Sequence, residues 1–172
     1  MRRSIFRQPP RQPQKGHQPV HPVHPVHPVP PVHHHPPASF LPVVDHGPTP
    51  FVVNLGRVTE DNHNYRTTLW TGDNLQLTLM SIPPKGDIGL ERHKDNDQFL
   101  RIESGHGIVQ MGRTKDKPDM KQPVFADYAI FVPAGTWHNI INIGETPLKI
   151  YSIYAPPHHP HGTIDYTKES QH

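Results

Sequence analysis

The sequence predicts an all-β domain standing behind a disordered arm rich in proline and histidine. Three observations carry this reading. Residues 1–50 hold 14 of the 23 prolines, and residues 1–46 hold 8 of the 16 histidines. From residue 51 onward, short apolar and β-branched runs alternate with Gly, Pro, Asn and Asp turns at intervals of about ten residues. No window sustains a 3.6-residue apolar period over three turns. Hydrophobic residues make up 33% of the chain, against a usual globular share of about 45%. That shortage is local to the arm, which has too few apolar side chains to close a core. A length of 172 residues suits one core of ordinary size, and a poorly hydrophobic arm before a single domain of normal composition excludes a two-domain enzyme, a coiled coil and a polytopic membrane protein.

Taken in order, the candidate strands are 51–55, 75–82, 88–93, 98–103, 108–111, 128–132, 138–143 and 148–154. The run 75–82 alternates at Leu75, Leu77 and Leu79 after a Gly72-Asp73-Asn74 turn, and Pro83-Pro84-Lys85-Gly86 stops it. Ser104-Gly105 ends the run that begins at Gln98, and Pro133-Ala134-Gly135 ends the run that begins at Tyr128. Residues 112–123, rich in Lys, Asp and Pro, read as a solvated loop, and 158–172 as an irregular tail. Short strands at this spacing indicate a sandwich or a small barrel. Three segments follow: an arm over 1–49, a β-domain over 50–157 and a tail over 158–172.

Charge divides along the same boundary. Residues 1–46 carry five Lys/Arg against Asp45 alone, while the remainder is net −2, so the overall +2 averages two unlike parts. The basic residues of the arm are dispersed among Gln and Pro with one aromatic, Phe6, which is not a nucleic-acid footprint. There is no cysteine, so disulfides, thiol catalysis and Cys-based zinc sites are excluded. The start MRRSIFRQPP lacks the apolar stretch of a secretory signal. No run approaches the ~18 apolar residues that span a membrane. The expected location is cytoplasmic, with a spore coat or other surface layer as the alternative.

Within the arm, Pro19, Pro22, Pro25 and Pro28 recur every three residues, as do His21, His24 and His27. On a polyproline II helix each type forms its own edge, with neighbouring histidines ~9 Å apart. Two imidazoles at that distance do not share one metal without bending the chain. The repeat, with His33, His34 and His35 after it, reads either as a stiff solvated spacer or as a weak multivalent metal or surface binder.

Two segments of the domain combine histidine with turn signals. In GDIGLERHKDNDQFLRIESG (86–105) a strand delivers His93, a polar turn over 94–97 reverses the chain, and Gln98 begins the return strand, with Asp95 and Asp97 at the tip. In PAGTWHNIIN (133–142) a Pro-Gly turn feeds a strand that starts near His138. A shared metal gives such distant segments reason to meet, because imidazole and side-chain oxygens suit Mn, Fe, Ni or Zn.

These residues carry a resemblance. Pro133-x-Gly135-x-x-His138-x-x-x-Asn142 matches, at every marked position, the second sequence motif of the cupin superfamily, P-x-G-x-x-H-x-x-x-N. Asp127 stands where that motif often begins with Gly. The first family motif is G-x5-H-x-H-x3-4-E-x6-G. The chain resembles it through Gly86, His93 and Gly105, with Asp95 at the second histidine position and Gln98 at the glutamate position. In that alignment the stretch between Asp95 and Gln98 is one residue shorter than the family minimum. The resemblance implies a cupin-type double-stranded β-helix, a jelly-roll-like barrel, with a divalent metal (Mn, Fe, Ni or Zn) at its mouth. The implied ligands are His93, Asp95, Gln98 and His138. With Gln98 in place of glutamate, one negative charge is lost from the usual site unless Asp95 or Asp97 supplies it.

Strand parity bears on this geometry. Gln98, Leu100 and Ile102 share one face, and His138, Ile140 and Asn142 another. The opposite face of the second strand (Asn139, Ile141, Ile143) is also partly apolar, so its outside is expected to be covered by another subunit, a sheet layer or the arm. A homodimer is expected by family analogy. Trp137 reads as a packing residue and His106 as solvated. His158, His159 and His161 read as a cap on the barrel mouth, a second metal site or an exposed Pro/His turn. Tyr65, Arg66 and Arg101 are available to an anionic substrate, but no spacing selects them. No residue is selected as a general base: Asp97, Tyr151 and Glu103 carry no supporting pattern.

Because cupins share a fold across different chemistries, function is less determined than architecture. The reading is a metal-binding cupin that acts on or binds a small molecule. As an enzyme it would be a metal-dependent isomerase or dioxygenase. Alternatives are a non-catalytic ligand-binding barrel and a structural, spore-coat-like assembly protein working through its arm.

Overall fold

The structure, a computed structural model, describes residues 44–170; the Pro/His repeat and the histidines before residue 44 lie outside the described residues. The elements are α1 (Leu55–Asp61), β1 (Arg66–Thr71), β2 (Gln76–Ile82), β3 (Asp97–Ser104), β4 (Gly107–Gly112), β5 (Met120–Val124), β6 (Ala129–Val132), β7 (Trp137–Asn142), β8 (Leu148–Ala155), β9 (Ile164–Asp165) and a 3-10 turn (Lys168–Ser170). Two antiparallel sheets result: six strands in the order β6-β3-β8-β2-β1-β9, and three in the order β5-β4-β7. The segment after β2 runs beside β7 through isolated bridges at Asp87↔Ile141 and Glu91↔His138. Among the described residues no helix is long and apolar enough to cross a membrane.

The inner faces of the sheets enclose the main core, in which Ile82, Leu100, Ile102, Ile140, Leu148 and Ile150 are fully buried. Register explains how the interior is divided. Gln98 pairs with Tyr154, and Tyr154 with Gln76, so the three stand in one row across β3, β8 and β2. Two residues along each strand the row is Leu100, Ser152 and Thr78, and two further on it is Ile102, Ile150 and Met80. One end of the barrel is therefore polar inside and the other apolar. Side chains on paired strands at one level share a face, so this gradient follows from sequence plus register.

The outer face of the large sheet is also covered. Leu69, Leu79 and Tyr151 pack with Phe51, Val53, Leu55 and Val58. Residues 51–55 thus form no strand. Phe51 and Val53 turn toward the sheet while Val52 is 97% exposed, so the alternation is real, but the segment lies on the sheet's face without a ladder partner. It leads into α1, whose Asn54 cap accepts from the Arg57 amide at 3.1 Å. Seven residues are two turns, too few for an apolar period to register.

Three further strands lie where no strand was expected. β1 buries Thr67 and Thr68, whose hydroxyls donate to Asn62 Oδ1 (3.1 Å) and the Thr163 carbonyl (3.3 Å), so its interior is polar and shows no apolar alternation. β5 is an edge strand with only Val124 buried. β9 is a two-residue addition beside β1. The expected 93–98 hairpin does not form either: residues 87–91 bridge to β7 in the small sheet, and β3 belongs to the large one, so 94–96 is a crossing between sheets.

Candidate metal centre

The second-motif segment is positioned by its turn. Thr136 N donates to the Pro133 carbonyl at 3.1 Å, and Gly135 takes φ +80°, a left-handed conformation that glycine adopts without a Cβ penalty. The Gly135 amide donates to the His93 carbonyl at 2.7 Å, which ties the two motif segments together at their backbones. Asp97 accepts from the Ala134 amide at 2.9 Å and so holds the same turn. Beyond it, β7 carries His138 inward with no exposure.

Glu91 and His138 are direct antiparallel partners: His138 N donates to the Glu91 carbonyl (2.9 Å) and Glu91 N to the His138 carbonyl (3.0 Å). Their side chains share a face, and His93, two residues on in extended chain, joins them. The His93 and His138 rings lie 5.3 Å apart between centroids. Glu91, His93 and His138 each offer one ligand atom, and all these atoms lie within 4.8 Å of one another.

The protons at this site are constrained. His138 Nδ1 lies 3.1 Å from the Thr136 carbonyl, which only accepts, so Nδ1 carries a proton and donates it there. In the neutral ring Nε2 is then a lone pair. It faces Glu91 Oε1 at 3.3 Å, and His93 Nε2 faces the same oxygen at 3.2 Å. Acceptors at such distances repel unless protons or a cation lie among them. Burial by itself pushes the Glu91 carboxyl up, but where the His138 and His93 rings carry a proton toward Oε1 their hydrogen bonds and charge outweigh it and hold the group at about 2; without those protons a bound cation takes their place. One carboxylate and two imidazoles, one of them fixed in the ligating tautomer by a backbone carbonyl, fit a first-row divalent metal.

Gln98 faces inward on β3 and is 3% exposed; its Nε2 donates to Ser152 Oγ at 2.9 Å, and its buried Oε1 has no hydrogen-bond partner. Asp95 is exposed in the bend that follows His93 and is not part of the cluster. The extended chain that aligns 91 with 93 ends before residue 95. Glu91 was missed in the sequence, although a signal for it was present. Read two residues earlier, Glu91-x-His93-x4-Gln98-x6-Gly105 satisfies the spacings of the first family motif from its first ligand onward, and the short gap at Asp95 disappears, while Gly86 stands one residue closer to Glu91 than the motif's opening glycine.

The residues after β8 fold back over this end. The His158 ring lies 4.2 Å from that of His93 and stacks on Tyr154 at 5.4 Å. His159 makes an edge contact with Tyr154 at 5.2 Å. Partial burial and the neighbouring His93 lower the pKa of His158 below the ordinary histidine value. Burial, with the charges of Arg66 and His158, pushes His159 down to about 3. The three candidates for an anion go elsewhere. Tyr65 is buried and donates to the Asp87 carbonyl (3.0 Å), Arg66 is ion-paired with Asp165 (3.2 Å), and Arg101 pairs with Asp127 and Glu103 on the outer face. Trp137 lies beneath the Arg92 and Lys115 cations, at 5.1 and 5.7 Å.

Comparison with known proteins agrees with this architecture. The family model for the cupin domain matches residues 78–154, which run from β2 to β8. YrkC, an uncharacterized protein of Bacillus subtilis (strain 168), is 60% identical over 124 residues, covering 72% of this chain and 67% of its own. An uncharacterized protein of Acanthamoeba polyphaga mimivirus is 47% identical over 116 residues, covering 67% of this chain and 71% of its own. The crystal structure of BH2720 from Bacillus halodurans superposes with a TM-score of 0.73 at 60% identity, covering 73% of this chain and 96% of that one. With two antiparallel sheets closed around the inward-facing Glu91, His93 and His138, and relatives this similar over the same region, the chain belongs to the cupin superfamily.

Proposed function

We propose that this protein is a metal-dependent cupin that holds a divalent ion through Glu91, His93 and His138 and binds a small molecule at the remaining positions. The observation that carries the reading is the convergence of three acceptor atoms within 4.8 Å on a buried face, with the His138 tautomer set by the Thr136 carbonyl. Gln98 is the fourth donor, on the strength of its buried, unpartnered amide oxygen. A neutral amide is a weaker ligand than carboxylate, and Glu91 supplies the negative charge that Gln98 lacks. When bound, such an ion supplies Lewis acidity toward an oxygen ligand. The chain's own contribution is to fix the ligand rings and to keep the inner end of the site dry, since His138 and the row below it are buried.

Elemental analysis of the full chain tests this. Near-stoichiometric Mn, Fe, Ni or Zn is expected, retained when residues 1–43 are deleted and lost in His138→Ala. Metal that leaves with the arm and stays in His138→Ala overturns the reading.

A further inference from the structure

Away from the metal centre, the outer face of the large sheet is covered over only part of its width. Trp70, Leu77, Ile153, Phe99 and Phe131 stand in one row across β1, β2, β8, β3 and β6, on the side facing away from the barrel interior. Residues 51–58 pack over Leu69, Leu79 and Tyr151 beside this row. Toward β6 the described residues leave it open. Phe131 is 68% exposed, Phe99 and Ile153 are half-buried, and with Asp97, Pro133 and Ala155 they line a groove of about 320 Å³. The first described residues reach the same face from its other side. Asp45 accepts from Thr71 Oγ1 at 2.5 Å, His46 N donates to the Leu69 carbonyl at 2.9 Å, and the Trp70 indole donates to the Thr49 carbonyl at 2.8 Å. Asp45 also accepts from the Gly162 amide at 3.1 Å, in the strap that residues 156–165 lay across the polar end of the barrel. The buried Gln76 amide holds that strap, its Oε1 accepting from the His158 and His159 amides at 3.1 and 2.8 Å. Val44 therefore stands at the β1 end of the row, and residues 40–43 join it there.

We propose that this groove is the dock for residues 40–43 of the same chain (Phe40, Leu41, Pro42 and Val43), which lie outside the described residues. The length fits. β8, which supplies Ile153 and Ala155, lies two strand spacings from β1, ~10 Å. In extended form residues 40–43 reach ~13 Å back from Val44. The composition fits as well. Phe40, Leu41 and Val43 are apolar, no charge stands among them, and a residue before proline, as Leu41 is, favours extended backbone. Pro42 has no amide proton to leave unpaired on a sheet face that offers no ladder. The chain already packs in this manner a few residues later, where Phe51 and Val53 lie on the sheet without a ladder partner. Covering Phe131, Phe99 and Ile153 removes apolar surface from water. A second copy of the chain is the competing occupant. The tether favours the chain's own segment, because a short linker holds it at a roughly millimolar effective concentration.

The absence of cysteine makes the test direct, since any disulfide then joins introduced residues. The full chain carrying Leu41→Cys and Ala155→Cys is oxidised under mild conditions, and the products are resolved without reduction. A docked segment should give an intrachain disulfide, formed at least about tenfold faster than when Phe131→Asp is added to the pair. Phe131 is exposed enough to accept the charge, and Phe131→Ala serves if the aspartate variant fails to fold. Chymotrypsin gives a second readout with the segment left intact. It should cut the full chain after Phe40 at least about fivefold more slowly than it cuts the Phe131→Asp or Phe131→Ala variant. Disulfide formation at the same rate with and without the Phe131 change means tethered collision alone and overturns the docking. Cleavage that ignores Phe131 overturns it too. A disulfide that forms between two chains instead of within one assigns the groove to a second copy and overturns the proposal.

Discussion

The two histidine-bearing segments differ in how firmly each is held. The segment 133–142 begins at a turn with its own hydrogen bond and a left-handed glycine, and then enters a ladder that pairs β7 with β4 along its whole length. The segment 86–93 belongs to no named strand: it meets β7 through bridges at Asp87 and Glu91 and through the backbone bonds Ile88 N to Ile140 O and Asn142 N to Gly86 O, accepts at His93 O from the Gly135 amide, and ends in a bend. In the first, spacing from turn to ligand is fixed by local chemistry, so sequence spacing alone places His138. In the second, register comes from pairing with the first, so the ligand position follows from a partner distant in sequence. The lesson is that a motif is readable where its own turn sets its register, and ambiguous by a strand period of two where another strand does.

The largest effect separates the two registers of the first motif. Glu91→Gln is expected to lower metal affinity by about 100-fold or more, and Asp95→Asn to leave it within about twofold. Competition with a chromogenic chelator measures both, and the reverse order would restore Asp95 as the ligand. Next comes the turn of the second motif. Gly135→Ala has room for its Cβ, with nothing within 4 Å, yet must hold φ +80°, so the cost is backbone strain of about 1–2 kcal/mol. Chemical denaturation reads that cost, and an unchanged midpoint would show that the turn does not need glycine. The smallest effect concerns the strap. Asp45 lies below the ordinary aspartate value: burial opposes the shift, but hydrogen bonds from Thr71, Gly47 and Gly162 outweigh it. A depressed carboxyl stabilises the fold fully above its unfolded pKa of about 4, and that contribution is lost as pH falls through the folded value. Asp45→Asn should therefore flatten the stability profile below about pH 4 and lower stability modestly at neutral pH. A profile parallel to that of the wild type would remove Asp45 as a titrating anchor.

Much of the barrel was legible because β2, β3, β4, β6, β7 and β8 combine apolar periodicity with strong turn residues at their ends. What was not legible has specific physical causes. β1 is buried through threonines satisfied by distant partners, α1 is shorter than the period that would announce it, and β5 and β9 add to strands already in place. The strap was visible only as a Pro/His turn of open meaning, since its role depends on a buried amide more than 80 residues away in sequence. His93 and His138 meet as the family resemblance implied, while Glu91 required knowledge of which residue stands opposite His138.

The central claim is that Glu91, His93 and His138 hold one metal ion. A crystal structure of the metal-loaded full chain, with an anomalous difference map at the metal edge, tests it most directly. The account predicts a single strong peak within bonding distance of Glu91 Oε1 and the Nε2 atoms of His93 and His138. A loaded crystal whose peak lies away from these three atoms, on Asp95 or on the histidines of the arm, would contradict it.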